Sequence, residues 1–130
     1  MRLAAVLAAL LLAGTAQAGC RLALVLAVDT SSSIDEGEFA LQREGIARAL
    51  EDPEVRAAFL PGYLDPVALA IFEWSGARQQ RIVQDWVVVD DPAILDTVAA
   101  RVRTEPRASS TLPTSIGNAL RFSWRMLQDA

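Results

Sequence analysis

The chain has 130 residues, of which 52% are hydrophobic and 22% charged, with a formal net charge of −4. This composition argues for one compact domain and against disorder. The acidic balance gives no electrostatic footprint for nucleic acid or for an anionic membrane surface, and all 12 basic residues are arginines. The chain contains no His, which removes the commonest general base and the commonest transition-metal ligand.

The first segment, MRLAAVLAALLLAGTAQAGC, carries Arg2, an apolar run from Leu3 to Ala13, and then Ala16-Gln17-Ala18. A basic start, a short apolar stretch and a small-x-small ending form a secretory signal, with cleavage expected after Ala18. The run is shorter than the roughly 20 apolar residues needed to cross a bilayer. A retained anchor is the lesser reading, as is lipidation of Cys20, because Gln17 stands where such a signal takes an aliphatic residue. Removing residues 1–18 from the 130 leaves 112 and loses Arg2, so the charge becomes −5. The expected location is periplasmic or secreted, with no membrane span after cleavage. The one cysteine, Cys20, has no partner in this sequence.

Beyond the signal the pattern alternates. RLALVLAVD (21–29) is continuously apolar, as a strand buried on both faces of a parallel sheet would be. A helix is expected from about Asp35 to Leu50, with Phe39, Ile46 and Leu50 on one stripe, and a short helical piece near 54–59 after Pro53. PVALAIFEW (66–74) reads as a second strand. SGAR (75–78) is a turn, and QQRIVQDWVVV (79–89) a third strand returning antiparallel to the second. Asp91-Pro92 suits a helix start, with Ile94, Leu95, Val98 and Val102 forming its apolar face. A polar loop, RTEPRASSTLP, precedes a last helix that opens near Thr114 and carries Ile116, Leu120 and Leu127 on one side. The order β-α-β-β-α-α, with the short helical piece extending the first helix, points to a three-layer α/β, Rossmann-like sheet with one antiparallel edge strand.

The chemistry concentrates where the first strand ends. Ligands of open α/β sheets collect outside the carboxyl ends of the strands, and Asp29-Thr30-Ser31-Ser32-Ser33 lies there. Asp29, Ser31 and Ser33 are spaced two apart, so an extended-to-loop conformation can turn their oxygens toward one point. One carboxylate with neutral hydroxyls suits a hard divalent cation. A plainer reading competes with it: Ser33 followed by Glu36 has the spacing of a capping box, and Asp35 and Glu36 suit the positive end of a helix.

These residues resemble the von Willebrand factor A domain. The Asp-x-Ser-x-Ser signature of that family's metal-ion-dependent adhesion site stands here as Asp29, Ser31 and Ser33. The family's second element resembles TSIGNAL, which puts Thr114 in the ligand position and leaves Thr111 a weaker candidate. The wider text from 21 to 127 is similar to an uncharacterised subfamily of secreted proteobacterial proteins in the same superfamily. The resemblance implies a Mg2+ site at Asp29, Ser31, Ser33 and Thr114, with Ca2+ or Mn2+ as alternatives. It also implies that the metal bridges to an acidic residue of a partner protein. A domain of this family would continue with a fourth strand ending in an Asp that supplies a third metal loop. The chain is therefore expected to be truncated before that strand, an amino-terminal part (19–130) of a longer domain, with the first strand left at an unpaired edge.

The leading expectation is an exported protein-binding module, and the alternative is a structural or assembly protein of the bacterial envelope with no functional metal. An enzyme is not expected: a nucleophilic serine among Ser31 to Ser33 needs an adjacent base, and neither His nor Lys is present. Trp74 and Trp86 are expected to pack within the sheet, Glu73 to face solvent, and Arg101, Arg103 and Arg107 to form a solvated face.

Overall fold

The computed structural model describes residues 19–60, 62, 65–108 and 111–130. The expected signal segment, 1–18, lies outside the described residues. The elements in chain order are β1 (Leu22–Asp29), α1 (Glu36–Glu51), α2 (Pro53–Phe59), β2 (Val67–Trp74), β3 (Gln80–Val89), α3 (Pro92–Thr104) and α4 (Ile116–Gln128). The sheet order among the described residues is β1-β2-β3, with β1 parallel and β3 antiparallel to β2. The fold is thus α/β with a mixed sheet; among the described residues β1 lies at one edge, and only Val28 of it is buried, so it is not the strand buried on both faces that its continuous apolar run suggests.

β2 explains the layering. Every residue from Val67 to Trp74 is buried, because the strand pairs on both sides and is covered on both faces. Val67, Leu69 and Ile71 point into a core shared with Phe39, Leu50, Phe59, Leu95 and Val98 of α1, α2 and α3. Ala70, Phe72 and Trp74 point the other way, against Ala119 and Met126 of α4. The period-two alternation of a strand therefore separates two cores, one on each side of the sheet. Phe72 meets Phe122 with ring centroids 4.8 Å apart and planes tilted by 52°, a geometry that favours edge contact over stacking. Trp74 and Trp86 pack as expected, and Trp86 donates from Nε1 to the Met126 carbonyl at 3.2 Å.

Local sequence sets the helix starts. Asp52 accepts from the Glu54 and Val55 amides ahead of Pro53, and Asp91 accepts from the Ala93 amide ahead of Pro92; in each case the carboxylate satisfies first-turn donors and proline sits where no donor is needed. For α1 the capping box is Asp35 with Glu38 and not Ser33 with Glu36: Glu38 N–H donates to Asp35 at 2.8 Å and Asp35 N–H donates to Glu38 at 2.9 Å. Both pairs have the same three-residue spacing. A turn closed by Ile34 N–H to the Ser31 carbonyl, 3.0 Å, delays the helix by two residues and hands the cap to Asp35.

The last helix carries its expected apolar stripe away from the sheet. Ile116 (61% exposed), Leu120 (66%) and Leu127 (39%) face solvent together with Trp124. The sheet takes the opposite side, Ala119, Phe122 and Met126, because small Ala119 lets the helix approach the large Phe72 and Trp74 beneath it. No helix among the described residues is long and apolar enough to cross a membrane.

Leu69 is fully buried at the centre of β2 and Leu120 is exposed on α4. Leu69→Ala is expected to lower stability by about 2–5 kcal/mol and Leu120→Ala by no more than about 0.5 kcal/mol, measured as denaturant midpoints. Equal losses would contradict the assignment of the two faces.

Candidate functional site

Two loops meet at the carboxyl end of β2. Trp74 offers its carbonyl to Thr30, which donates from its amide at 2.8 Å and its hydroxyl at 3.1 Å. The next carbonyl, Ser75, accepts from the Ser115 amide at 3.1 Å. The loop after β1 and the loop before α4 are thereby tied to consecutive buried residues, the last of β2 and the one that follows it. A direct bond joins them as well, from Ser32 N–H to the Leu112 carbonyl at 2.9 Å.

The consequence is a ring of three hydroxyls. Ser31 Oγ lies 2.9 Å from Ser33 Oγ and 2.8 Å from Thr114 Oγ1, and Ser33 Oγ lies 3.0 Å from Thr114 Oγ1. With three hydrogens for three bonds, each hydroxyl can donate once and accept once, which leaves each oxygen a further lone pair. Asp29 stands beside the ring, and its Oδ1 accepts from the Ser31 amide at 2.7 Å. Ser31 is fully buried whereas Ser33 and Thr114 are exposed, so the ring opens to solvent on one side. The four residues singled out by sequence, Asp29, Ser31, Ser33 and Thr114, come together; Thr111 makes no hydrogen bond to the ring among the described residues.

The donor set fits a small hard cation. Octahedral Mg2+ holds oxygens at about 2.0–2.1 Å, so neighbouring ligands of one face stand roughly 2.8–3.0 Å apart. The ring has that spacing, 2.8–3.0 Å. Hydrogen bonds thus hold the three hydroxyl oxygens at a spacing compatible with one face of such an octahedron. No group of three or more His, Cys, Asp or Glu side chains occurs among the described residues, so a site here rests on hydroxyls plus one carboxylate.

Behind the ring, two charged residues depart from expectation. Glu73 is 4% exposed, not solvent-facing. Its Oε2 accepts from Arg81 Nη2 at 2.7 Å and from the Ala108 amide at 3.0 Å. Arg81 also reaches Glu105 and the Pro106 carbonyl. Burial works against the Arg81 charge, but the hydrogen bonds and attraction of Glu73 and Glu105 outweigh it and raise its pKa. This cluster fastens residues 105–108 across the sheet end. Arg107, expected on a solvated face, has a side chain only 11% exposed and turns inward beneath the Asp29–Ser33 loop. Arg101 and Arg103 do lie on the surface, bonded to Gln84 and to Glu44 and Glu51.

A signal for Glu73 exists in the sequence. A single carboxylate inside the apolar run VALAIFEW needs a partner once the strand is buried, and antiparallel return through the 75–79 turn places Arg81 directly opposite it. Arg107 has no such signal, since its acceptors are backbone carbonyls.

A family model described as "Protein of unknown function (DUF1194)" matches residues 19–130. The chain belongs to this family. No curated protein matches the chain. The match spans every element described above and the residues of the hydroxyl ring.

Gly76 lets the turn after β2 approach the second loop. A Cβ at that position would stand 3.2 Å from Leu112 Cβ and 2.8 Å from Gln79 Oε1. The glutamine end can move aside, but Leu112 carries the carbonyl that holds Ser32. Gly76→Ala is expected to cost about 1 kcal/mol through overpacking and to speed hydrogen exchange at the Ser32 amide. Unchanged exchange there would show that Leu112 does not support the loop.

Proposed function

We propose that this DUF1194 chain is an exported protein-binding module whose site holds Mg2+ through Ser31, Ser33 and Thr114, with Asp29 acting partly through water. The observation that carries the reading is the hydroxyl ring beside one carboxylate, at octahedral spacing and open on one side. Its position at the carboxyl end of β1, and the match of Asp29-x-Ser31-x-Ser33 and Thr114 to the von Willebrand factor A pattern, support the same conclusion. Such a site supplies one positive centre, and the open side leaves room for a carboxylate from a partner protein. Ser33 and Thr114 line that side, so they set how closely the partner can approach, while buried Ser31 fixes the depth of the ion. The signal segment supports a periplasmic or extracellular setting.

A second reading, a structural or assembly protein of the envelope with no functional metal, draws on the exposed apolar residues of α4, Ile116, Leu120, Trp124 and Leu127. The two readings separate at the ring, because only the first makes Asp29 and the hydroxyls necessary.

Isothermal titration of Mg2+ into the chain tests the choice. One equivalent is expected to bind, with uptake lost in Asp29→Ala and weakened about tenfold in Thr114→Ala. Retention on an immobilised acidic peptide is expected to require Mg2+ and to disappear with chelator. Absence of Mg2+ uptake, or uptake unaffected by Asp29→Ala, would overturn the reading and leave the structural role.

A further inference from the structure

Arg107 makes an unusual set of contacts for a residue on a polar loop. Its Nη2 donates to the Ile34 carbonyl at 2.6 Å and lies 3.3 Å from both the Thr30 and the Ser31 carbonyls. Nη2 carries two hydrogens, so one serves Ile34 and the other is shared between Thr30 and Ser31. Nη1 donates to Glu36 at 2.7 Å, and the guanidinium carbon sits 5.1 Å from the Phe39 ring centroid. The Phe39 ring is buried and belongs to the first turn of α1. One planar fork therefore grips the loop at both ends of its turn and rests on an aromatic platform at the start of the next helix.

Energetically these contacts are unequal. Glu36 is 85% exposed, so that ion pair is screened and contributes little. The carbonyl contacts are sheltered, and hydrogen bonds from a charged donor are the stronger kind. They fix the Thr30, Ser31 and Ile34 peptide planes, and with the first two the direction in which the Ser31 side chain leaves the backbone; Ser33 lies between the held ends of the turn.

We propose that Arg107 is the positioning residue of the site: it clamps the carbonyl side of the Thr30–Ile34 loop so that the hydroxyls on the opposite side are held ready for a cation. The inference rests on the Mg2+ reading above. It makes a prediction of unusual sign. Arg107 carries a positive charge close to a proposed cation site, so by charge alone its removal would strengthen Mg2+ binding. A positioning role requires the reverse.

The test uses the whole chain, with Mg2+ as probe, and compares the wild type with Arg107→Met, Arg107→Lys and Glu36→Gln. Two quantities are measured: Mg2+ affinity by calorimetry, and hydrogen exchange at the Ser32 and Ile34 amides in the metal-free protein. Arg107→Met is expected to lose about tenfold or more in affinity, as removal of outer-shell partners does, and to exchange faster at both amides while β2 amides keep their protection. Arg107→Lys is expected to show smaller losses of both kinds, and it carries the test if Arg107→Met does not fold. Glu36→Gln is expected to match the wild type, since it leaves the carbonyl contacts in place. Affinity equal to or above the wild type in the Arg107 variants overturns the inference, and so does unchanged exchange. A wild-type chain that takes up no Mg2+ overturns the functional reading instead, and the exchange measurement then decides the clamp alone.

Discussion

Two neighbouring carbonyls, those of Trp74 and Ser75, organise the end of the sheet where the hydroxyl ring sits. They stand at the end of a strand with no exposed residue, and each accepts from a different loop: Thr30 from the segment after β1, and Ser115 from the segment before α4. Because β2 is held between two cores, its end is a fixed reference. Loops 83 residues apart in sequence are thereby brought within hydrogen-bond reach of one another at Ser31 and Thr114. The ring is a consequence of that shared anchor, and the Ser32 to Leu112 bond and the Arg107 clamp complete it from other directions.

The legible parts of the fold are those governed by short-range rules. Continuous apolar runs gave β1 and β2, and Asp-Pro gave the starts of α2 and α3, because a cap and a missing donor act within one helical turn. The shift of the α1 cap from Ser33 to Asp35 shows where such rules stop. Ser33 and Asp35 compete with equal spacing to a glutamate; the turn closed on the Ser31 carbonyl favours Asp35, and the Ser33 hydroxyl is engaged instead by Thr114, a residue from the other end of the chain. Which face of α4 meets the sheet lies beyond such rules for a related reason. Periodicity finds apolar residues at Ile116, Leu120 and Leu127, but which side meets the sheet depends on the fit of Ala119, Phe122 and Met126 to Phe72 and Trp74.

Asp29, Ser31 and Ser33 were accessible from their spacing and Thr114 from the resemblance carried by TSIGNAL, whereas their supports were not. Glu73 and Arg81 become a pair only once the strands are in register. Arg107 acts on backbone carbonyls, which every sequence has, so nothing in the residues near Asp29 marks it. The charged residues around the site thus divide by what they hold. Arg101 and Arg103 pair with Gln84, Glu44 and Glu51, while buried Glu73 with its partner Arg81, and Arg107, hold the two loops against the sheet. This division leaves Asp29 as the carboxylate at the ring itself.

The central claim is that the hydroxyls of Ser31, Ser33 and Thr114 form one face of a cation site. Crystals of the chain soaked in Mn2+ and measured near the manganese absorption edge address it directly. The account predicts an anomalous peak within coordination distance of all three hydroxyl oxygens, with Asp29 beside it. A well-ordered ring with no anomalous peak, or a peak elsewhere on the protein only, would contradict the account and leave the ring as a structural tie between two loops.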